Sequence, residues 1–307
     1  MRKILIPIDF SQPAESVIDF VRPVAAEFNA ALHLVYVLPP DEHLTALLDS
    51  PARLSDPTIG RHLRQRLKAL SKKHSIDCSE ANLHVLKGRP FEQICALAAR
   101  LEIDLIVTAT RGNTGLKHLL LGSTADRVIR YSPCPVVVVQ PEILRSKRAL
   151  NFGNLLVPVD FSTCSMIGLN EAIRLADRFG SKVLLLSSVA PQYFVTSDEY
   201  ARYDFPELLR ETEIILRHQM RDLVAKTGSN GRQIDGIIDI GHPGQQICAR
   251  AGELKTDVIV LSTHGKTGFK HVLLGSTAEY VARHAECPVL VVPSHQRPQL
   301  NRSVKEL

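Results

Sequence analysis

A chain of 307 residues, 45% hydrophobic and 22% charged, is long enough for two globular domains of about 150 residues each, and each half can bury its own core. The formal charge of +5 comes from scattered lysines and arginines without a basic tail or stripe, which gives little support to a nucleic-acid or membrane partner. No apolar run approaches the roughly 20 residues needed to span a bilayer, and Pro7 and Asp9 interrupt the apolar start too early for a signal peptide.

In chain order, Ile4–Ile8 is short, branched and apolar and predicts a buried strand. Ser11 or Gln12 starts a predicted helix to about Asn29, with Pro13 in its first turn. Ala31–Leu38 predicts a second strand, and Pro39–Pro57 a long irregular connection. Ile59–Ser75 carries Leu63, Leu67 and Leu70 at helical spacing. A short strand, His84–Leu86, a Pro-led helix, Pro90–Leu101, and a strand, Ile103–Thr108, follow. A Gly-punctuated loop then leads to a helix opening at Gly122 or Ser123, and Pro135–Val139 is the last strand.

The order then repeats: Leu155–Val159, Thr163–Phe179, Lys182–Val189, Pro206–Thr227, Ile237–Ile240, Pro243–Glu253, Val258–Leu261, Ser276–His284 and Pro288–Val292. KILIPIDFS (Lys3–Ser11) returns as NLLVPVDFS (Asn154–Ser162), and residues 109–139 match 262–292 at 19 of 31 positions without a gap. That level marks an internal duplication, and a repeat this long makes each copy a domain. The expected domains are 1–142 and 152–294, joined by a linker at 143–151 with Arg145, Lys147 and Arg148, and followed by a polar, frayed tail at 295–307. Alternating strands and helices imply an α/β fold, a parallel sheet with helices on both faces in each domain. The six cysteines form no CxxC pair and read as small buried residues in a reducing cytoplasm. The twelve histidines show no ligand spacing and read as solvated surface, so no metal site is expected.

The stretch Ala109–Ser123 (ATRGNTGLKHLLLGS) and its copy Ser262–Ser276 (STHGKTGFKHVLLGS) carry the chemistry. Each leaves a strand, runs through glycines and enters a helix at Gly-Ser-Thr. Glycine permits close backbone approach, and a starting helix leaves its first N–H groups unpaired, so the stretch can cradle a phosphate. The candidates are Gly112, Gly115, Gly122, Ser123 and Thr124 in the first copy, and Gly265, Gly268, Gly275, Ser276 and Thr277 in the second. The Ser-Thr pairs read either as helix caps or as ligands, and Lys117 and Lys270 either as phosphate partners or as solvated surface. In open parallel sheets ligands sit where the winding reverses, beyond the carboxyl ends of the strands. Asp9 and Asp160 end the first strand of each copy and can accept from ribose hydroxyls or an adenine amine, or can help cap the following helix. The chain lacks GxGxxG after its first strand, GxxxxGK[ST] and GxSxG, so no catalytic residue is assigned and slow ATP hydrolysis is the most that is expected.

The PxDFS ending of the first strand, the Gly loop with nine residues before Gly-Ser, and the CPVxVV final strand together resemble the universal stress protein family, in both copies. The resemblance implies a tandem member built of two doubly wound five-stranded sheets of order 3-2-1-4-5, Rossmann-like and akin to the adenine nucleotide alpha hydrolases. The family's nucleotide-binding members carry Gly-x2-Gly-x9-Gly-(Ser/Thr). The second and third glycines fall on Gly112 and Gly122, then on Gly265 and Gly275, while Ala109 and Ser262 replace the first. By the same resemblance, Asp9 and Val37, then Asp160 and Val189, contact the nucleoside. The implied ligand is ATP, or AMP or ADP, with or without Mg, and the implied role is a cytoplasmic stress-response regulator. The alternative is an interaction scaffold with degenerate crevices and no nucleotide.

The apolar last strands, Pro135–Val139 and Pro288–Val292, are aggregation-prone as edges. They are expected to pair within one chain as an intramolecular pseudo-dimer, the resemblance also allowing a homodimer. Either half expressed alone should then self-associate on a sizing column, whereas a well-behaved monomer would contradict the pairing.

Overall fold

The computed structural model describes residues 1–40, 57–76, 79–110, 121–189, 205–228, 231–263 and 274–294. The chain divides into two compact units, residues 1–150 and 151–294. Unit 1 runs β1 (Lys3–Pro7), α1 (Gln12–Glu27), β2 (Ala31–Leu38), α2 (Pro57–Lys73), a 3-10 turn (Glu80–Asn82), β3 (Leu83–Lys87), α3 (Pro90–Arg100), β4 (Leu105–Ala109), α4 (Ser123–Tyr131), β5 (Val136–Val139) and α5 (Pro141–Arg145). Its strands are parallel in the order β3-β2-β1-β4-β5.

Unit 2 runs β6 (Asn154–Pro158), α6 (Thr163–Phe179), β7 (Lys182–Val189), α7 (Phe205–Thr227), β8 (Ile234–Ile240), α8 (Pro243–Glu253), β9 (Val258–Ser262), α9 (Ser276–His284) and β10 (Val289–Val292). Its parallel order is β8-β7-β6-β9-β10, the same winding as unit 1. The doubly wound α/β fold expected from the sequence is therefore present in each unit.

The central strands explain why the apolar runs are continuous rather than alternating. Ile4, Leu5 and Ile6 are fully buried, as are all four valines of β5, because helices cover both faces. Each such side chain contributes about 1.5–3 kcal/mol by leaving water. Helix ends follow local chemistry. Ser11 accepts from the Ala14 N–H, Pro90 and Pro243 open α3 and α8, and α6 stops at Gly180 in the left-handed conformation (φ 65).

Three differences from the sequence reading have physical causes. β8 begins at Ile234 rather than Ile237, so Asp235 and Gly236 lie inside a strand. A Cβ at 236 would stand 2.5 Å from Met220 Cγ of α7, so glycine lets that helix pack closely without a shift of its side chains. Within the expected linker, residues 143–145 continue the short helix α5, whose Leu144 is buried, and the Leu150 N–H donates to the Phe20 carbonyl (2.8 Å). Finally, His33, His74 and His84 are buried, not solvated. The cysteines behave as expected in part. Cys95, Cys134 and Cys287 are buried, Cys164 and Cys248 are half-buried, and all five are free. Burial pushes the Cys287 thiol up to about 12 and Cys248 to about 11, so both stay protonated and unreactive. Cys78, the connection at 41–56 and the tail at 295–307 lie outside the described residues.

Candidate functional site

The winding reverses between β1 and β4. The chain passes from β1 to β2 on one side and reaches β4 on the other, with Leu5 paired to His33 and to Ile106. The carboxyl ends of β1 and β4, and of β6 and β9, therefore flank one crevice in each unit. Asp9 and Asp160 follow one rim, and the glycine loops leave the other.

At the first rim a strained turn recurs. Phe10 (φ 59) and Phe161 (φ 60) occupy the left-handed region, a costly place for a bulky side chain. The turn brings the Ser11 N–H (2.9 Å) and Oγ (2.5 Å) onto Asp9 Oδ1, and the Ser162 N–H (3.0 Å) and Oγ (2.6 Å) onto Asp160 Oδ1. Each serine hydroxyl in turn accepts from the N–H of the third residue of its helix, Ala14 or Ser165. The mouths of α1 and α6 are thus closed by the protein's own hydroxyls, with the aspartates bracing them. Asp9 remains exposed and Asp160 half-buried.

The mouths of α4 and α9 are built differently. Gly122 and Gly275 are the N-caps and bring no capping side chain to the helix. Both have φ −59, with ψ 140 and 144, a conformation open to any residue. Glycine is therefore not needed here for its backbone freedom. What it supplies is a missing side chain at the position from which Ser11 and Ser162 reach into their own helices. Ser123 and Thr124, like Ser276 and Thr277, are the first two helical residues rather than the caps. Their N–H groups have no acceptor within the helix. Ser123, Thr124 and Ser276 are exposed and Thr277 is half-buried.

Each loop is clipped at its base. The Thr110 N–H donates to Val139 O (2.9 Å) and the Gly122 N–H to Thr110 O (2.7 Å), while Thr263 N–H to Val292 O (3.0 Å) and Gly275 N–H to Thr263 O (2.8 Å) repeat the pattern. Buried Thr110 Oγ1 donates to Gln140 Oε1 (2.9 Å), and Thr263 Oγ1 shares a hydrogen bond with Ser294 Oγ (2.8 Å). Sequence reasoning passed over these threonines, although both copies carry one at the same place. Ala109 and Ser262 lie inside β4 and β9, paired with Val139 and Val292, and are buried. The first motif position is thus strand, not loop. Gly112, Gly115, Gly265 and Gly268, with Arg111, Lys117, His264 and Lys270, lie outside the described residues.

The strand registers correct one equivalence. Pro7 pairs with Val35 and Pro158 with Leu186, so Val37 corresponds to Ser188, and Val189 to Leu38. Val37 and Val189 are both buried, whereas half-buried Ser188 donates through Oγ to Gly241 O (2.8 Å). Gly241 (φ 144) and its counterpart Gly88 (φ 141) turn the chain beyond β8 and β3, in a region that favours glycine. Among the described residues no cluster of three or more His, Cys, Asp or Glu side chains could hold a metal, and no helix is long and apolar enough to cross a membrane.

The model of the universal stress protein family matches residues 1–140 and again 151–293. A universal stress protein of Methanocaldococcus jannaschii is 31% identical over 139 residues, 45% of this chain and 82% of that protein. Universal stress protein A homolog 1 of Coxiella burnetii is 34% identical over 143 residues, 45% of this chain and 95% of its own length. The solved structure of a universal stress protein from Archaeoglobus fulgidus superposes with a TM-score of 0.63 at 21% identity, covering 95% of this chain and 98% of that one, a likeness of fold. With both halves matched by one family model and the same winding in each, the chain belongs to the universal stress protein family and carries its domain twice in tandem.

Proposed function

We propose that each unit binds an adenine nucleotide, ATP or its di- or monophosphate, with or without Mg, and that the chain works as a nucleotide-dependent regulator in the cytoplasmic stress response. The reading is carried by one contrast. Of the two helix mouths at each crevice, one is closed by a serine and the other is glycine-capped, and this holds in both units. A bare helix N-terminus suits a phosphate through its N–H groups and dipole, and family membership supports the same ligand class. The role is binding rather than turnover, with slow hydrolysis as its upper limit. Isothermal titration with Mg and ATP, together with thermal stabilisation by the nucleotide, tests it. Absence of both at millimolar ATP removes the reading.

The aspartates provide a finer test. Asparagine keeps the Oδ1 acceptor that braces Ser11 or Ser162 but loses the second carboxylate acceptor. Asp9→Asn and Asp160→Asn should therefore leave the melting temperature nearly unchanged and weaken nucleotide binding in their own unit about tenfold or more. Equal losses of stability and binding would reduce these residues to helix bracing. A nucleotide-free scaffold is the second reading, favoured by Ala109 and Ser262 standing in the strands where the nucleotide-binding pattern has glycine. Nucleotide released from the purified, denatured chain and identified by mass spectrometry would defeat it.

A further inference from the structure

The basic run Arg145, Lys147 and Arg148 is fastened to α1 rather than left as a loose linker. On one side of it Leu144 is buried, and on the other the Leu150 N–H donates to Phe20 O of α1 (2.8 Å). Between these anchors Lys147 makes a left-handed turn (φ 55). A groove of about 630 Å³ lies between the run and α1. Gln12, Ser16, Phe20 and Pro23 line it at helical spacing, so it follows one face of α1 for about three turns, a length of about 17 Å.

Four cations border the groove, Arg22 of α1 with Arg145, Lys147 and Arg148, and all four are exposed. Asp19 borders it as well, 3.6 Å from Arg22 Nη1 and 2.8 Å from His74 Nδ1. Arg22 Nη1 also donates to His74 O (3.0 Å), and Arg145 Nη1 lies 3.9 Å from Glu142 Oε1. The two arginine–carboxylate pairs are exposed on both sides and contribute little, so an incoming carboxylate can compete for either guanidinium. Buried Phe20 and Leu144 give the groove an apolar wall between its charges.

We propose that this groove docks an extended acidic segment of a partner protein, its carboxylates on the arginine and lysine rim and an apolar side chain against Phe20 and Leu144. Charge complementarity selects the sign of the partner. The length selects its form, because about 17 Å takes about five residues of extended chain. Side chains of such a segment alternate, so carboxylates and apolar groups separate to the rim and the wall. Arginine adds geometry to charge, since its planar fork takes both oxygens of one carboxylate. A compact inorganic anion would meet only a part of so long a groove. The docking surface does not rest on the nucleotide reading.

The experiment is a fluorescence-anisotropy titration of the labelled peptide Glu-Leu-Glu-Glu-Leu-Glu with the full, nucleotide-free chain, and amide hydrogen exchange locates the bound peptide. Binding is expected below about millimolar concentration, as for a weak, transient contact, with slowed exchange in residues 12–23 and 141–150. Arg145→Gln with Arg148→Gln, and separately glutamine for glutamate in the peptide, should each weaken binding about tenfold or more. The same charge change at exposed Arg210 and Arg221 of α7 should weaken it less than about twofold. Gly122→Val with Gly275→Val should leave it unchanged, which separates the groove from the crevices. No binding at millimolar peptide, equal losses from the two arginine pairs, or protection confined to other segments overturns the proposal. Tighter binding of inorganic tripolyphosphate in the groove overturns it too, as an ion site. Exchange in the wild-type chain decides even where a variant does not fold.

Discussion

On the proposed reading, Gly122→Val should abolish nucleotide binding in unit 1 and leave unit 2 competent, and Gly275→Val should do the reverse. The N-cap side chain is the one that reaches a helix's own first N–H groups. Ser11 shows this in the same molecule, its Oγ 3.3 Å from the Ala14 N–H. Valine at 122 or 275 sets two methyl groups where serine would set an acceptor, and they cover the N–H groups that a phosphate needs. Hydrogen bonds to a charged acceptor are worth about 1.5–3 kcal/mol each, so losing two weakens binding by at least about a hundredfold. The folded state should tolerate the change. φ −59 with ψ near 140 suits valine, and the cost of a poorer cap, about 1 kcal/mol, is partly offset by the lower freedom of the unfolded chain. Titration calorimetry on the two variants, with melting curves as the control, separates the two effects. Retention of wild-type affinity by either variant would mean that the phosphate does not use these mouths.

Phe152→Ala carries the largest expected loss of stability. Among the described residues Phe152 is the largest of the fully buried side chains, 1% exposed, and its ring centroid lies 5.0 Å from that of Phe179 at the end of α6. Truncation removes the ring's transfer energy and leaves a cavity between α6 and the start of β6, at a cost of about 3–5 kcal/mol. A domain stable by about 5–15 kcal/mol is then close to its limit. Denaturant unfolding followed by exchange in β6 and β9 should show unit 2 opening at markedly lower denaturant. A change under about 1 kcal/mol would show that the site collapses around the missing ring.

The contrast between legible and illegible parts of the sequence follows from what fixes each feature. α6, α8 and α9 begin and end where the sequence places them, because Ser162, Pro243 and Gly180 are local signals with local effects. The apolar strands were legible for the same reason, since burial on both faces demands continuous runs. The equivalence of Val37 was not legible. ALHLVYVL and KVLLLSSV match in too few residues to fix an alignment, and the pairing of each strand with β1 or β6 is what makes Ser188 the counterpart of Val37. The start of β8 was hidden because Gly236 reads as a break, whereas in the fold it lies against Met220 of α7, a contact the local sequence does not show. The threonine clips were hidden because the partners, Gln140 and Ser294, differ in type and lie about thirty residues away along the chain. The glycine caps were found, and of the two properties glycine offers only the close approach it allows applies there. Their backbone angles are ordinary, and the absent side chain is what distinguishes them.

Native mass spectrometry of the full chain with Mg and ATP tests the central claim most directly. Two nucleotides per chain are expected for the wild type, one for Gly122→Val, one for Gly275→Val and none for the double variant. A wild-type chain that stays empty at millimolar ATP, or a double variant that still carries two nucleotides, would contradict it.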